Sequence, residues 1–78
     1  MSIGSEIKSY LELGREIDFL YNGKKYSFSH SEEKWYLTEY DTHLEQEFNS
    51  YQEMLNGAIV DSKCFSDICE DIIIDWVY

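Results

Sequence analysis

The chain has 78 residues, 44% of them hydrophobic and 17% aromatic, and carries a formal net charge of −10. That is one small domain, residues 1–78, with enough core residue types to exclude disorder; because a chain this short buries only roughly 60% of its unfolded surface, its rings must supply much of the stability. The acidic excess excludes direct binding of nucleic acid or anionic lipid and favours a basic partner.

The elements follow in chain order. Ile3, Ile7, Tyr10 and Leu11 recur at helical spacing and Gly14 stands where a helix-ending glycine belongs, so a short helix is predicted over residues 3–13, with Ser2 or Ser5 as its N-cap. Asn22-Gly23 between two alternating runs is a strong hairpin signal, because a type I′ turn needs positive φ at both central residues. With those two residues as the loop, Phe19 faces Tyr26 and Ile17 faces Phe28 on the apolar side. Asp18, Leu20, Lys25 and Ser27 fall on the other side, and Lys24 and Lys25 are expected to keep the hairpin tip soluble. The run at 34–40 reads as a third strand, with Trp35 and Leu37 on one face and Tyr36, Thr38 and Tyr40 on the other. Residues 41–47 read as a polar connection that extends this strand or loops out.

Ser50 and Glu53 form a capping-box pattern, with Gly57 as the expected stop. Residues 58–63 read as a connector that buries Ile59 or Val60. Phe65, Ile68, Cys69 and Ile72 then mark a helix of about two turns. The closing run, Ile72 to Tyr78, has apolar residues on both parities and reads as a strand buried on much of both faces or as a late extension of the sheet. The expected fold is α+β, in the order α-β-β-β-α-α-β, with a three- to four-stranded antiparallel sheet and helices on one face.

Motifs that carry chemistry are absent from the sequence. No phosphate-binding glycine loop or nucleophile elbow is present, and the four glycines all have terminal or turn positions. His30 and His43 lack zinc-ligand spacing, and Cys64 and Cys69 are five positions apart rather than in C-x-x-C spacing. The expectation is no catalytic residue, no metal and no cofactor, with both cysteines reduced and Cys69 the better protected. No apolar run is long enough to span a membrane, and the N-terminus lacks the basic and apolar regions of a signal peptide or the glycine of a myristoylation site. Together with the free thiols, this points to the cytoplasm.

The charge is uneven. Residues 1–31 balance four acids (Glu6, Glu12, Glu16, Asp18) against Lys8, Arg15, Lys24 and Lys25. Residues 32–78 hold twelve acids against Lys34 and Lys63, which is the whole of the −10. Glu32, Glu33, Asp41, Glu45, Glu47, Glu70 and Asp71 are therefore candidate contacts for a basic protein surface, such as that of a nucleic-acid-binding protein. Tyr36 and Tyr40 are candidate aromatic contacts, since exposed tyrosines beside carboxylates suit arginine-rich partners.

The segment from Gly14 to His30 resembles a recurrent group of short, acidic bacterial proteins, mainly from Firmicutes. The likeness rests on Gly14-Arg15-Glu16-Ile17, an aromatic at Phe19, Tyr21, Gly23-Lys24 and Tyr26-Ser27. In that group, too, a short helix precedes the hairpin and a tryptophan-bearing strand follows, matched here by Trp35. The resemblance implies turn, cap and core, and no activity.

Two functional classes follow, and the missing motifs weigh against a third, a minimal enzyme. One is a non-catalytic acidic interaction module, including a phage or mobile-element mimic of nucleic acid. The other is an accessory or regulatory domain that binds through a tyrosine-rich sheet face. One contiguous anionic stripe would favour the first, and scattered acids the second.

Overall fold

The computed structural model describes residues 3–78. Helix α1 (Ile3–Glu12) buries Ile7 and Leu11. It ends in a Schellman turn: Gly14 N–H donates to the Leu11 carbonyl (2.9 Å) and Arg15 N–H to the Tyr10 carbonyl (3.1 Å). Gly14 has φ +77°, a conformation that a side chain would strain. Ser5 lies inside the helix rather than at its cap, and Ser2 is outside the described residues.

Strands β1 (Ile17–Tyr21) and β2 (Lys24–His30) form the hairpin. Asn22 and Gly23 have φ of 52° and 78°, as a type I′ turn requires. The register pairs Phe19 with Tyr26 and Ile17 with Phe28, and all four side chains are buried. A one-residue slip would turn this whole set to the opposite face, so burial and turn geometry enforce the same pairing.

β3 (Trp35–Glu39) continues the meander, and β4 (Glu45–Phe48) adds a strand where the sequence showed only a polar connection. His43, at φ 60°, turns the chain between them, with Glu39 N–H donating to the Leu44 carbonyl at 2.9 Å. Helix α2 (Tyr51–Gly57) begins with the expected cap: Ser50 Oγ accepts from Glu53 N–H at 3.1 Å. The Glu53 carboxylate reaches back to Asn49 N–H, also at 3.1 Å. Gly57 closes the helix from within rather than as a left-handed stop; Ala58 N–H donates to the Met54 carbonyl in extended geometry.

The connector after α2 contains a small hairpin, β5 (Ile59–Val60) and β6 (Lys63–Cys64), joined by Asp61 and Ser62 at φ 52° and 64°. Val60 is the buried one of its apolar pair. Helix α3 (Phe65–Ile68) is a single turn, so Cys69 and Ile72 lie beyond it. The chain ends in β7 (Ile73–Val77), which returns to pair with β1. The sheet order is β4-β3-β2-β1-β7, antiparallel throughout.

The core lies between the sheet and the helices. Phe65 packs edge-on against Phe28 (5.0 Å between centroids) and Phe19 (5.5 Å), and Phe19 stacks on Tyr26 (5.4 Å). Ile7, Leu11, Met54, Val60, Ile68 and Ile72 complete the helical side of the same cluster. All three helices therefore cover one face of the sheet and leave the other open.

β7 decides between the two readings of the closing run in favour of an extension of the sheet. It is an edge strand with Ile73 65% and Trp76 62% exposed, not a strand buried on both faces. A bulge shifts its register, so Phe19 pairs with Ile74 but Asp18 with Trp76. The extra residue is Asp75. It lets Ile74 join the core while Ile73, Asp75 and Trp76 turn to the open side. The mixed parity of the run records a bulge at an edge, not burial on both faces.

Candidate functional site

The open face is built from alternate residues of the strands. One cross-strand row runs Trp76, Asp18, Ser27, Thr38, Glu45, and a second pairs Ser29, Tyr36 and Glu47. Asp18 is the anomaly. It points away from the helical layer yet is only 2% exposed. Side chains from β2, from the residue after β3 and from the chain end close over it. Tyr78 Oη donates to Asp18 Oδ2 at 2.8 Å, and Tyr40 Oη lies 3.3 Å from each carboxylate oxygen. Lys25 Nζ is 3.7 Å from the same carboxylate and 3.3 Å from Asp75, which the bulge delivers. The ammonium also sits 4.9 Å from the centre of the Tyr40 ring, within cation–π range.

A buried carboxylate is tolerated only when its charge is compensated and its lone pairs are used, and two phenols and one ammonium do that here. The effect is mutual. The hydrogen bond to Asp18, followed by desolvation, pushes the Tyr78 phenol up to about 12. The Asp75 carboxylate, aided by Asp18, raises the Lys25 ammonium against the opposing effect of desolvation. The site is thus a fixed Asp-Lys-Tyr-Tyr cluster rimmed by exposed rings. The lysines are more than solubilising groups at a hairpin tip: Lys25 belongs to this cluster, and Lys24 pairs with Asp61 at 3.3 Å.

The seven acids singled out in the sequence do not come together. Glu45 and Glu47 lie on the open face, and Glu47 pairs with Lys34 at 3.6 Å. Glu32 and Glu33 line a recess with Lys34 and Tyr36 at the β2–β3 turn. Asp41 is at the turn beyond the other end of β3. Glu70 is in the helical layer, where its carboxylate accepts from Ile3 N–H (3.0 Å) and Gly4 N–H (3.4 Å) at the start of α1, and Asp71 follows it. On the open face Lys25, beside Asp18 and Asp75, and Lys34, beside Glu47, interrupt the acidic field. Tyr36 and Tyr40 do share the open face, and Tyr40 lines a second recess with Ser27, Thr38 and His43. Asp18, Lys25, Trp76 and Tyr78 were not picked out as site residues. A lone acid inside an otherwise apolar strand was the only signal for the first.

The remaining polar groups have local tasks. His30 Nε2 is 2.7 Å from the Gly14 carbonyl, and its ring lies 4.5 Å from that of Trp35, so it ties β2 to the end of α1. Cys64 Sγ donates to the Asn56 carbonyl at 3.2 Å. Both cysteines are free and half-buried. Among the described residues no three His, Cys, Asp or Glu side chains converge as metal ligands would. Nor is any described helix long and apolar enough to cross a membrane. No known protein family, curated protein or solved structure matches this chain.

Proposed function

We propose that this chain is a non-catalytic interaction module of the cytoplasm that docks a basic protein segment on the open face of its sheet. The observation that carries the reading is the makeup of that face. No helix covers it; it presents Trp76, Tyr40 and Tyr78 at 62%, 41% and 58% exposure beside Glu45, Glu47 and Asp75. Aromatic rings next to carboxylates attract guanidinium and ammonium groups both through the ring face and through charge. The Lys25–Tyr40 contact is the same interaction made internally. Locked rings also lose little entropy on binding, because the Asp18 cluster already orders Tyr40 and Tyr78. The interruption of the acids by lysines, and the placement of Glu70 and Asp71 in the other layer, weigh against a continuous mimic of a phosphate backbone.

The test is titration of an arginine-rich peptide at several salt concentrations. Affinity should fall as salt rises, since exposed pairs are screened over about 8 Å at physiological ionic strength. Trp76→Ala should cost about tenfold or more, as loss of an aromatic anchor does. Reversal of Glu45 and Glu47 should slow association, while reversal of Glu6 and Glu12 on α1 should leave it unchanged. Binding that is indifferent to salt, to Trp76→Ala and to the β4 reversals would overturn the reading.

A further inference from the structure

On the covered side of the sheet, where the helices end, the hairpin tip meets the β5–β6 turn. Both turns run through the left-handed region. Asp61 joins them: its carboxylate accepts from Asn22 Nδ2 at 3.1 Å and from Lys24 Nζ at 3.3 Å. These bonds, that from Asn22 foremost, hold its carboxyl below the usual range.

Beneath this junction is a cavity of about 280 Å³, close to the lower end of the range for small-ligand sites. Leu37, Leu44 and Ile59 form apolar wall, and Lys24, Glu39, Asp61 and Ser62 supply polar groups. Tyr26 lines it too. That residue is 2% exposed, and its hydroxyl is the one buried side-chain polar atom among the described residues without a hydrogen-bond partner. A buried hydroxyl left unpaired is costly, and a seated ligand with a polar hydrogen would recover that cost. Glu39 stands directly across from Tyr26 in the β2–β3 ladder.

The charge balance selects the ligand. Both Asp61 oxygens are already engaged by Asn22 and Lys24. Among the described residues the Glu39 carboxylate accepts only the Thr42 hydroxyl, at 3.1 Å through Oε2. Burial raises the Tyr26 phenol, and among nearby charges Glu39 acts on it more strongly than Lys24, with Asp61 and Asp41 reinforcing Glu39. The hydroxyl therefore sits in a negative field. An anion is disfavoured there, and an uncharged apolar guest would leave it unpaired.

We propose that this cavity binds an alkylguanidinium or alkylammonium group, with Glu39 and the Tyr26 hydroxyl accepting its N–H donors and Leu37, Leu44 and Ile59 holding its aliphatic stem. The inference deepens the basic-partner reading but stands on a separate site. The cation can come from a free small amine or from an arginine side chain of a partner.

Amide-resolved NMR titration separates these sources. The probes are agmatine as the free amine, N-acetyl-arginine methylamide as the side chain in peptide form, and N-acetyl-norleucine methylamide as the apolar control. Saturable shifts at Tyr26, Glu39, Leu44 and Ile59 are expected with the cations and not with norleucine. Stronger binding of agmatine assigns a free ligand; stronger binding of the arginine amide assigns a partner's side chain. Glu39→Gln should weaken binding about tenfold, the effect of losing one charge-assisted hydrogen bond. Tyr26→Phe should weaken it less, and the unliganded variant should melt no lower than wild type, because the hydroxyl has no partner to lose. No saturable shift with either cation, equal shifts with norleucine, or unchanged binding by Glu39→Gln would each overturn the inference. Shifts confined to Tyr40 and Trp76 would also overturn it, while leaving the docking reading of the open face intact.

Discussion

The Tyr78 hydroxyl donates a 2.8 Å hydrogen bond to the carboxylate of Asp18, a residue 60 positions earlier in the chain. The same terminal residue is held through its backbone, with its N–H donating to the Glu16 carbonyl (2.8 Å) and its carbonyl accepting from Arg15 Nε (2.9 Å). These contacts fasten β7 to β1 and complete the open face.

Removing Asp18 should expose how much the cluster contributes. Asp18→Ala deletes the shared acceptor of Tyr40 and Tyr78 and leaves Lys25 with Asp75 alone. The expected loss is about 1–3 kcal/mol, measured by denaturant unfolding. Asp18→Asn keeps the shape and an acceptor oxygen, so it should cost less.

Alkaline pH should loosen the same contact. The Tyr78 phenol titrates near 12 in the folded protein, against about 10 in an unfolded chain. The folded state holds this proton more tightly. Its stabilising contribution is therefore complete below pH 10 and is lost as pH rises from 10 through 12. A spectroscopic titration of the phenols should lose a late-titrating component in Asp18→Ala, while Tyr26, raised by burial, keeps its late titration.

The hairpin core should be the most sensitive part of the molecule. Phe19 contacts the rings of Tyr26, Phe28 and Phe65 within 5.5 Å between centroids. Phe19→Ala should cost about 3–5 kcal/mol. That is a large share of a small domain's total, so a chemical melt should show a much lower midpoint or no folded baseline at all.

The β5–β6 turn offers a gain. Ser62 has φ 64°, which costs an L-residue about 1–2 kcal/mol. Glycine removes that strain but adds roughly 0.5–1 kcal/mol of unfolded-state entropy. Ser62→Gly should therefore raise stability by up to about 1 kcal/mol. A lower melting temperature would mean that the Ser62 side chain makes a contribution its backbone geometry does not reveal.

Thiol labelling should distinguish the two cysteines only modestly. Burial raises the Cys69 thiol, and Glu70 beside it acts in the same direction, so it should react slowly with an alkylating reagent at neutral pH. Because α3 ends at Ile68, Cys69 is half-buried rather than sealed in a helical stripe. Slow labelling of the native protein is expected, accelerating on unfolding.

Local rules sufficed where two constraints coincide within a short stretch of chain. At Asn22-Gly23 the turn's positive φ and the alternation of Ile17, Phe19, Tyr26 and Phe28 demand one register, so the hairpin was legible residue by residue. The Gly14 stop of α1 and the Ser50–Glu53 cap of α2 are equally local. β4 was not legible. Glu45 and Glu47 face solvent, but Gln46 on the covered side bonds the Ile59 backbone, so no clean polar–apolar alternation marks the strand, and its character comes from pairing with β3. Nor was the edge position of β7, because Ile73 and Trp76 face outward only through a bulge at Asp75, which is set by the pairing with β1. The sequence by itself determined the hairpin, two helix ends, the α+β class and the acidic bias. Tertiary structure decided which charges meet. Asp18 with Tyr78, and Tyr26 with Glu39 beside Asp61, are brought together by strand order and by turns docking tip to tip. Those contacts join residues distant in the chain, and no local periodicity encodes them.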